Sequence, residues 1–291
     1  MRLLLEVSPF NIQITSSIPI VLDNLKALYP TNLIKEVEDE TLCDYYVSLD
    51  YSGFVRKYIK PQCSFKFDEY EPFLGLPINH AYANLEWGIN YVIASNAFNF
   101  LIIHSGIVAK GDNAVLFPAP PGSGKSTLTA YLQGCPDWRL LSDEMALIQP
   151  TNLQAIPFVR PICLKNRSCE LIKQWHPNLA HSTTASKTHK GDVVHVAPSP
   201  QSWQKRNTPA KIRAVVFPNY KAGAELEIYK LTKAQGFMQL AENAFNFSLL
   251  GAEGFDTLTH LIEEIECYEI YYSDVEEVKA FLQEELLDEH E

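Results

Sequence analysis

The sequence has no run of apolar residues approaching the roughly 18 that a membrane-spanning helix requires, so no membrane span is expected. Its opening run, Leu3-Leu4-Leu5, is too short for a secretory signal. Cysteine is sparse and unpaired in pattern. The six residues, at positions 43, 63, 135, 163, 169 and 267, form no CxxC, so neither a zinc knuckle nor a thioredoxin-type motif is written. Thiols of that kind in a chain with no secretion signal are expected to be reduced, and the expected location is the cytoplasm. Basic charge is in deficit, with 24 Lys and Arg against 35 Asp and Glu, a net of −11. That balance argues against nucleic acid as a partner. Internal repeats and low-complexity segments are also absent. With 46% hydrophobic and 11% aromatic residues among 291, the chain has material for a sizeable core. At about 100–200 residues per domain, it makes one large or two modest domains.

The patterning is that of an α/β protein. Residues 2–50 alternate apolar and polar as half-buried strands do, around a helical stretch Val21–Tyr29 that stops before Pro30. Residues 61–78 suit an edge strand and loop, and His80–Phe98 a helix leading out of a small N-terminal α/β lobe (1–80). In the remainder (81–291), Phe100–Lys110 and Ala114–Pro118 are expected as strands around a Gly-Asp-Asn turn. Trp138–Ile148 is expected as one buried strand carrying two acids. Later strands are expected at 153–158, 193–197, 212–217, 226–231 and 268–272, with helices at 168–176, 233–246, 255–266 and 274–287.

The strongest local signal is Gly122-Ser123-Gly124-Lys125-Ser126-Thr127, preceded by a strand and followed by a helix. Glycines let successive backbone N–H groups turn inward around phosphate oxygens, and the helix points its positive end at the same anion. In that reading Lys125 reaches the β- and γ-phosphates, the Ser126 hydroxyl ligates Mg²⁺, and Thr127 starts the helix. Ala119 stands where the full motif has glycine, and Pro120-Pro121 remove two donors. Some sixteen residues on, Asp143-Glu144 follows Leu140-Leu141-Ser142. An acid at the end of a strand beside a phosphate loop meets the metal or the attacking hydroxyl. Two adjacent carboxylates can divide those roles and shift each other's affinity for protons.

In this order and at this spacing, His104-Ser105-Gly106, the phosphate loop and Ser142-Asp143-Glu144 resemble the C-terminal kinase domain of HPr kinase/phosphorylase, whose core is related to the phosphoenolpyruvate carboxykinase nucleotide fold. The segments Arg160–Asn166, Lys190–Val196, Phe217–Tyr220, Asn243–Asn246 and Tyr271–Ser273 look like its HprK-related kinase A subgroup. The resemblance covers about residues 85–285. It implies a P-loop kinase core binding ATP and Mg²⁺ and phosphorylating a hydroxyl of a protein, peptide or small molecule. It further implies Asp143 as general base, Glu144 as second acid and metal ligand, and His104 near the phosphates. It adds Arg160 and Lys190 to the nucleotide ligands. The parent family forms oligomers, which extends to this chain the expectation of a homo-oligomer. The family's Gly-rich segment after the acidic pair has no counterpart here, so neither HPr as acceptor nor the reverse phosphorolysis carries over.

Charge is unevenly spread. Residues 155–215 hold ten basic side chains and two acids, a net of +8, and include a loose stretch His181–Gly191 suited to folding over a nucleotide or meeting an acidic substrate. His195 reads equally as a core or a functional residue. His181 and His189 lack partners at ligand spacing for zinc. Residues 252–291 carry fourteen acids and one lysine. There Glu276, Glu277, Glu284 and Glu285 alternate with Val275, Val278, Phe281 and Leu282 as on an amphipathic helix. A nucleotide-binding regulatory module without transfer chemistry, or an NTPase, are the competing readings. Ala119 and the two prolines motivate the first of these.

Overall fold

The computed structural model describes residues 1–38 and 41–287. The chain is α/β and forms two compact units, Met1–Asn96 with Arg160–Ala197, and Ala97–Val159 with Pro198–Glu291. The units do not follow a break at residue 80, because residues 81–96 and 160–197 both group with the N-terminal segment.

The first leg runs β1 (Arg2–Val7), β2 (Phe10–Thr15), α1 (Pro19–Leu28), β3 (Ile34–Glu36), β4 (Tyr45–Tyr51), α2 (Phe54–Tyr58), β5 (Gln62–Phe67), β6 (Leu76–Pro77) and α3 (Ala81–Asn96). The strands form a mixed sheet in the order β3-β1-β2-β4-β5-β6, with β2 and β4 parallel. Proline at its first turn suits the start of α1, where no intrahelical N–H bond is lost. Alternation buries one face of the sheet, including Leu3, Leu5, Ile12, Ile14, Val47, Leu49 and Phe65.

The second leg runs β7 (Leu101–Ile103), β8 (Ser105–Lys110), β9 (Asn113–Pro118), α4 (Lys125–Gly134), β10 (Trp138–Ser142), β11 (Ala146–Ile148) and β12 (Gln154–Ile156). Two expected continuous strands are broken here. Phe100–Lys110 divides at His104, after which β7 pairs with β11 while β8 pairs with β9 and β10. Trp138–Ile148 divides at Asp143-Glu144, and its halves join different neighbours. Uniform hydrophobicity conceals both breaks, since every one of these strands is buried on both faces.

The third leg returns to the first unit with β13 (Ile162–Lys165), α5 (Arg167–Trp175), β14 (Ala185–Thr188) and β15 (Gly191–Val196), an antiparallel sheet in the order β13-β15-β14. The stretch expected to be loose thus contributes β14. The fourth leg comprises α6 (Pro200–Gln204), β16 (Ala210–Tyr220), β17 (Glu227–Lys230), α7 (Lys233–Glu242), α8 (Phe247–Leu250), α9 (Ala252–Glu264), β18 (Glu266–Tyr272) and α10 (Val275–Phe281), with a π-helical turn at Leu282–Leu287. The second unit's sheet orders as β10-β8-β9-β16-β12-β11-β7, and β18 lies on β16 with β17 outside it. Its core gathers Leu116, Leu141, Val215, Leu240, Leu258 and Leu261. Helix α10 and the turn after it are amphipathic as expected: Val275, Val278 and Leu282 are buried, while Glu276, Glu277 and Glu284 are exposed. The Glu285 side chain lies outside the described part. Among the described residues no helix is long and apolar enough to cross a membrane.

Candidate functional site

Strand direction brings the motif residues of the second unit to one sheet edge. Strand β8 lies antiparallel between β9 and β10, so the start of β8 sits between the ends of the other two. The loop after β9, the acids after β10 and His104 before β8 therefore share an edge, with neighbouring strands about 4.8 Å apart. Strands β16 and β18 run parallel to β9, and their ends, Tyr220 and Tyr272, reach the same edge. Ligands in open α/β sheets bind outside such carboxyl ends.

The loop itself is held from below. Ser123 N–H donates to the Pro120 carbonyl at 3.3 Å, and Tyr220 N–H donates to the Ser123 carbonyl at 2.9 Å. Gly122 and Gly124 adopt φ of 93° and 89°, a region that L side chains rarely occupy. At Gly124 a Cβ would lie 2.5 Å from Tyr272 Oη and 2.9 Å from Tyr220 Cβ, so the two tyrosines also require glycine there by contact. Burial, with Tyr220 adding to it, pushes the Tyr272 phenol well above its ordinary range, so it stays neutral. Lys125 is buried at the first position of α4, with Ser126 and Thr127 half-buried behind it. Ser123 Oγ is buried and has no hydrogen-bond partner among the described residues. A buried hydroxyl in that condition has its donor open to a bound group or a water molecule.

The acids come in at Gly106. A Cβ on Gly106 would stand 2.2 Å from Thr129 Oγ1 and 3.4 Å from Asp143 Oδ1. The Asp143 carboxylate and the α4 face one turn beyond Lys125 therefore meet across a bare patch of β8. Thr129 is fully buried, and its hydroxyl has no hydrogen-bond partner among the described residues. Glu144 is half-buried with φ of 74°, a left-handed backbone for a non-glycine residue. Strain of that kind costs of order 1–3 kcal/mol and collects at functional sites. His104 is half-buried. Its N–H donates to the Asn243 carbonyl at 2.7 Å, and its ring packs on Phe245 at 5.4 Å. Asn246 locks that segment, accepting from Ile102 N–H at 2.9 Å and donating to the Phe100 carbonyl at 2.8 Å.

Sequence reasoning did not single out Thr129. Its signal was a threonine four residues after the loop lysine, on the same helical face. Tyr220, Tyr272 and Asn246 stood inside recognised segments but carried no role.

Arg160 and Lys190 belong to the first unit. Arg160 is 7% exposed, and its guanidinium is spent on Glu86 Oε2 (2.6 and 3.2 Å), the Glu86 carbonyl (3.0 Å) and Asn90 Oδ1 (2.8 Å). Tyr29 and Tyr82 donate to the other Glu86 oxygen at 2.9 and 2.6 Å. Burial pushes the Glu86 carboxyl up, but the Arg160 and His195 charges and the hydrogen bonds outweigh it and hold the group below the usual range. What the structure gives Arg160 is thus a core ion pair. His195 is a core residue as well, 2% exposed with its ring edge-on to Tyr82 at 5.3 Å. Lys190 Nζ lies over the Trp87 ring at 5.0 Å. Among the described residues no three His, Cys, Asp or Glu side chains are gathered to hold a metal. Neither a family model nor a curated protein matches the chain.

Proposed function

We propose that the second unit is an ATP- and Mg²⁺-dependent kinase, of the HPr kinase-like kind and nearest the HprK-related kinase A subgroup, phosphorylating a serine-type hydroxyl of a protein, peptide or small molecule. The observation that carries the reading is the meeting of Asp143 with the α4 face of the phosphate loop around Gly106. A helix N-terminus, a buried lysine and inward-turned glycines suit a triphosphate; a carboxylate beside them suits the proton of an attacking hydroxyl.

In this mechanism the loop N–H groups and Lys125 hold the phosphates. Asp143 accepts the acceptor's proton as its oxygen bonds to the γ-phosphorus, and the bond to ADP breaks. His104 lies near the phosphates, and Tyr220 and Tyr272 stiffen the loop through Gly124. The Ser126 hydroxyl and the Glu144 carboxylate are the groups that would hold Mg²⁺. One hydroxyl and one carboxylate suit an ion that completes its shell with phosphate oxygens and water. When bound, Mg²⁺ neutralises charge on the transferred group. Arg160 and Lys190 have no part in this account.

The test is Asp143→Asn. The expected result is ATP–Mg²⁺ binding close to wild type by calorimetry, with transfer from γ-labelled ATP to acceptors in a cell extract abolished. Full transfer by this variant would remove Asp143 as base. Wild-type binding without transfer or hydrolysis would favour the regulatory-module reading, and hydrolysis alone the NTPase.

A further inference from the structure

In the first unit, the connection between β4 and β5 faces solvent along its length. Residues 53–60 are exposed without a break, and α2 buries no residue. Four large apolar side chains lie there: Phe54 at 81% exposed, Val55 at 64%, Tyr58 at 66% and Ile59 at 64%. Helical spacing sets Phe54 and Tyr58 one turn apart, their rings edge-on at 5.4 Å, with Val55 and Ile59 beside them. Arg56 takes the opposite side, Lys57 turns its ammonium over the Tyr51 and Tyr58 rings at 5.4 and 5.9 Å, and Lys60 follows. Leu74, 90% exposed, joins from the β5–β6 connection; a Cβ on the adjoining Gly75 would stand 3.0 Å from Ser52 Oγ, at the foot of the loop. The β4–β5 connection itself carries Arg56, Lys57 and Lys60 and no acid; the acids nearby, Asp68, Glu69 and Glu71, lie in the β5–β6 connection, where Glu71 pairs with Lys66 at 3.1 Å.

An exposed apolar cluster of this size marks an interaction site. Its charge narrows the partner to an anionic one. Its shape narrows it further. A helix of five residues is too short to lay an apolar stripe along a protein groove, but it can dip its apolar arc below lipid headgroups while its cations stay at their level. We infer that the α2 loop docks this protein on an anionic lipid surface, with Phe54, Val55, Tyr58, Ile59 and Leu74 entering the interface and Arg56, Lys57 and Lys60 meeting the headgroups. The inference is independent of the kinase reading.

Flotation of the full chain tests it. Vesicles of phosphatidylglycerol and phosphatidylcholine in equal parts should carry the protein upward at low salt, and vesicles of phosphatidylcholine alone should not. Arg56→Gln with Lys60→Gln should weaken binding roughly 25-fold, at about fivefold per cation. Phe54→Ser with Ile59→Ser should weaken it by at least about tenfold. All four side chains are solvent-facing, so folding is unaffected, as far-ultraviolet circular dichroism will check. Failure of the wild type to float, or wild-type flotation by both variants, overturns the inference. So does sedimentation showing a dimer that Phe54→Ser with Ile59→Ser abolishes while vesicles bind nothing, which would assign the loop to a second copy of the chain.

Discussion

Replacing Gly106 by alanine is the sharpest probe of how the site is packed. The added Cβ would lie 2.2 Å from Thr129 Oγ1, well inside any real contact, and 3.4 Å from Asp143 Oδ1, an ordinary one. Alanine is favoured over glycine in a strand interior by roughly 0.5–1 kcal/mol. Against that, overpacking a tight site costs about 1–3 kcal/mol. The clash wins, because its obstacle is a short, fully buried side chain on α4. The net expectation is a loss of about 1–2 kcal/mol. Thr129→Ala removes the obstructing oxygen, which has no hydrogen-bond partner among the described residues, so little is lost with it. The double variant should then recover most of the stability, with a coupling of about 1–3 kcal/mol in the cycle. Urea unfolding followed by circular dichroism measures all four corners. A Gly106→Ala protein as stable as wild type, or a double variant no better than the sum of the singles, would refute the packing argument.

Lys125→Ala should weaken ATP–Mg²⁺ binding at least about tenfold, since a charged contact to phosphate is worth more than about 1.4 kcal/mol; unchanged affinity by calorimetry would undo the phosphate-loop assignment. Arg160→Met should destabilise by about 3–5 kcal/mol, because it strands the buried Glu86 carboxylate. The sign with pH follows from the lowered folded value at Glu86. Its contribution is complete above the unfolded value of about 4.3 and is lost as pH falls through the lower folded one. Glu86→Gln should therefore flatten that acid limb of the urea midpoint, and an unchanged limb would show that other carboxylates set it. Asn246→Ala leaves the Ile102 N–H and Phe100 carbonyl without their side-chain partner. A cost of about 2–4 kcal/mol is expected in thermal or urea melts.

Much of the architecture was legible locally. The loop at Gly122–Thr127 announces itself because its conformation is written in residue type: only glycine takes the backbone of Gly122 and Gly124 cheaply. Helices α4, α5 and α9 follow from apolar spacing, and the amphipathic α10 from its buried valines. Chain breaks inside apolar runs were not legible. His104 and Asp143-Glu144 interrupt strands that look continuous, because a strand buried on both faces has no alternation to lose. Of the β13–β15 sheet only β15 was legible, and β13 and β14 were hidden for a related reason: their residues mix charge and short apolar runs, and the pairing partner decides whether such a run becomes strand or loop.

The basic stretch after the acidic pair shows where local reading stops. Composition places ten cations in residues 155–215, and nothing in the sequence separates a lysine or arginine that faces solvent from one that is consumed in a core. Burial is a property of packing. Arg160 has its donors taken by Glu86 and Asn90, 74 and 70 residues away along the chain. The sequence by itself determined the glycine-bearing Gly122–Thr127 turn, the placing of the acids after a strand and the α/β class, each of which rests on residues near one another in the chain. The tertiary structure alone decided that Asp143 and Thr129 meet at Gly106, that Arg160 closes a core ion pair, and that residues 81–96 and 160–197 belong to the first unit. Those facts depend on contacts between distant segments, and such contacts leave no periodicity in the sequence.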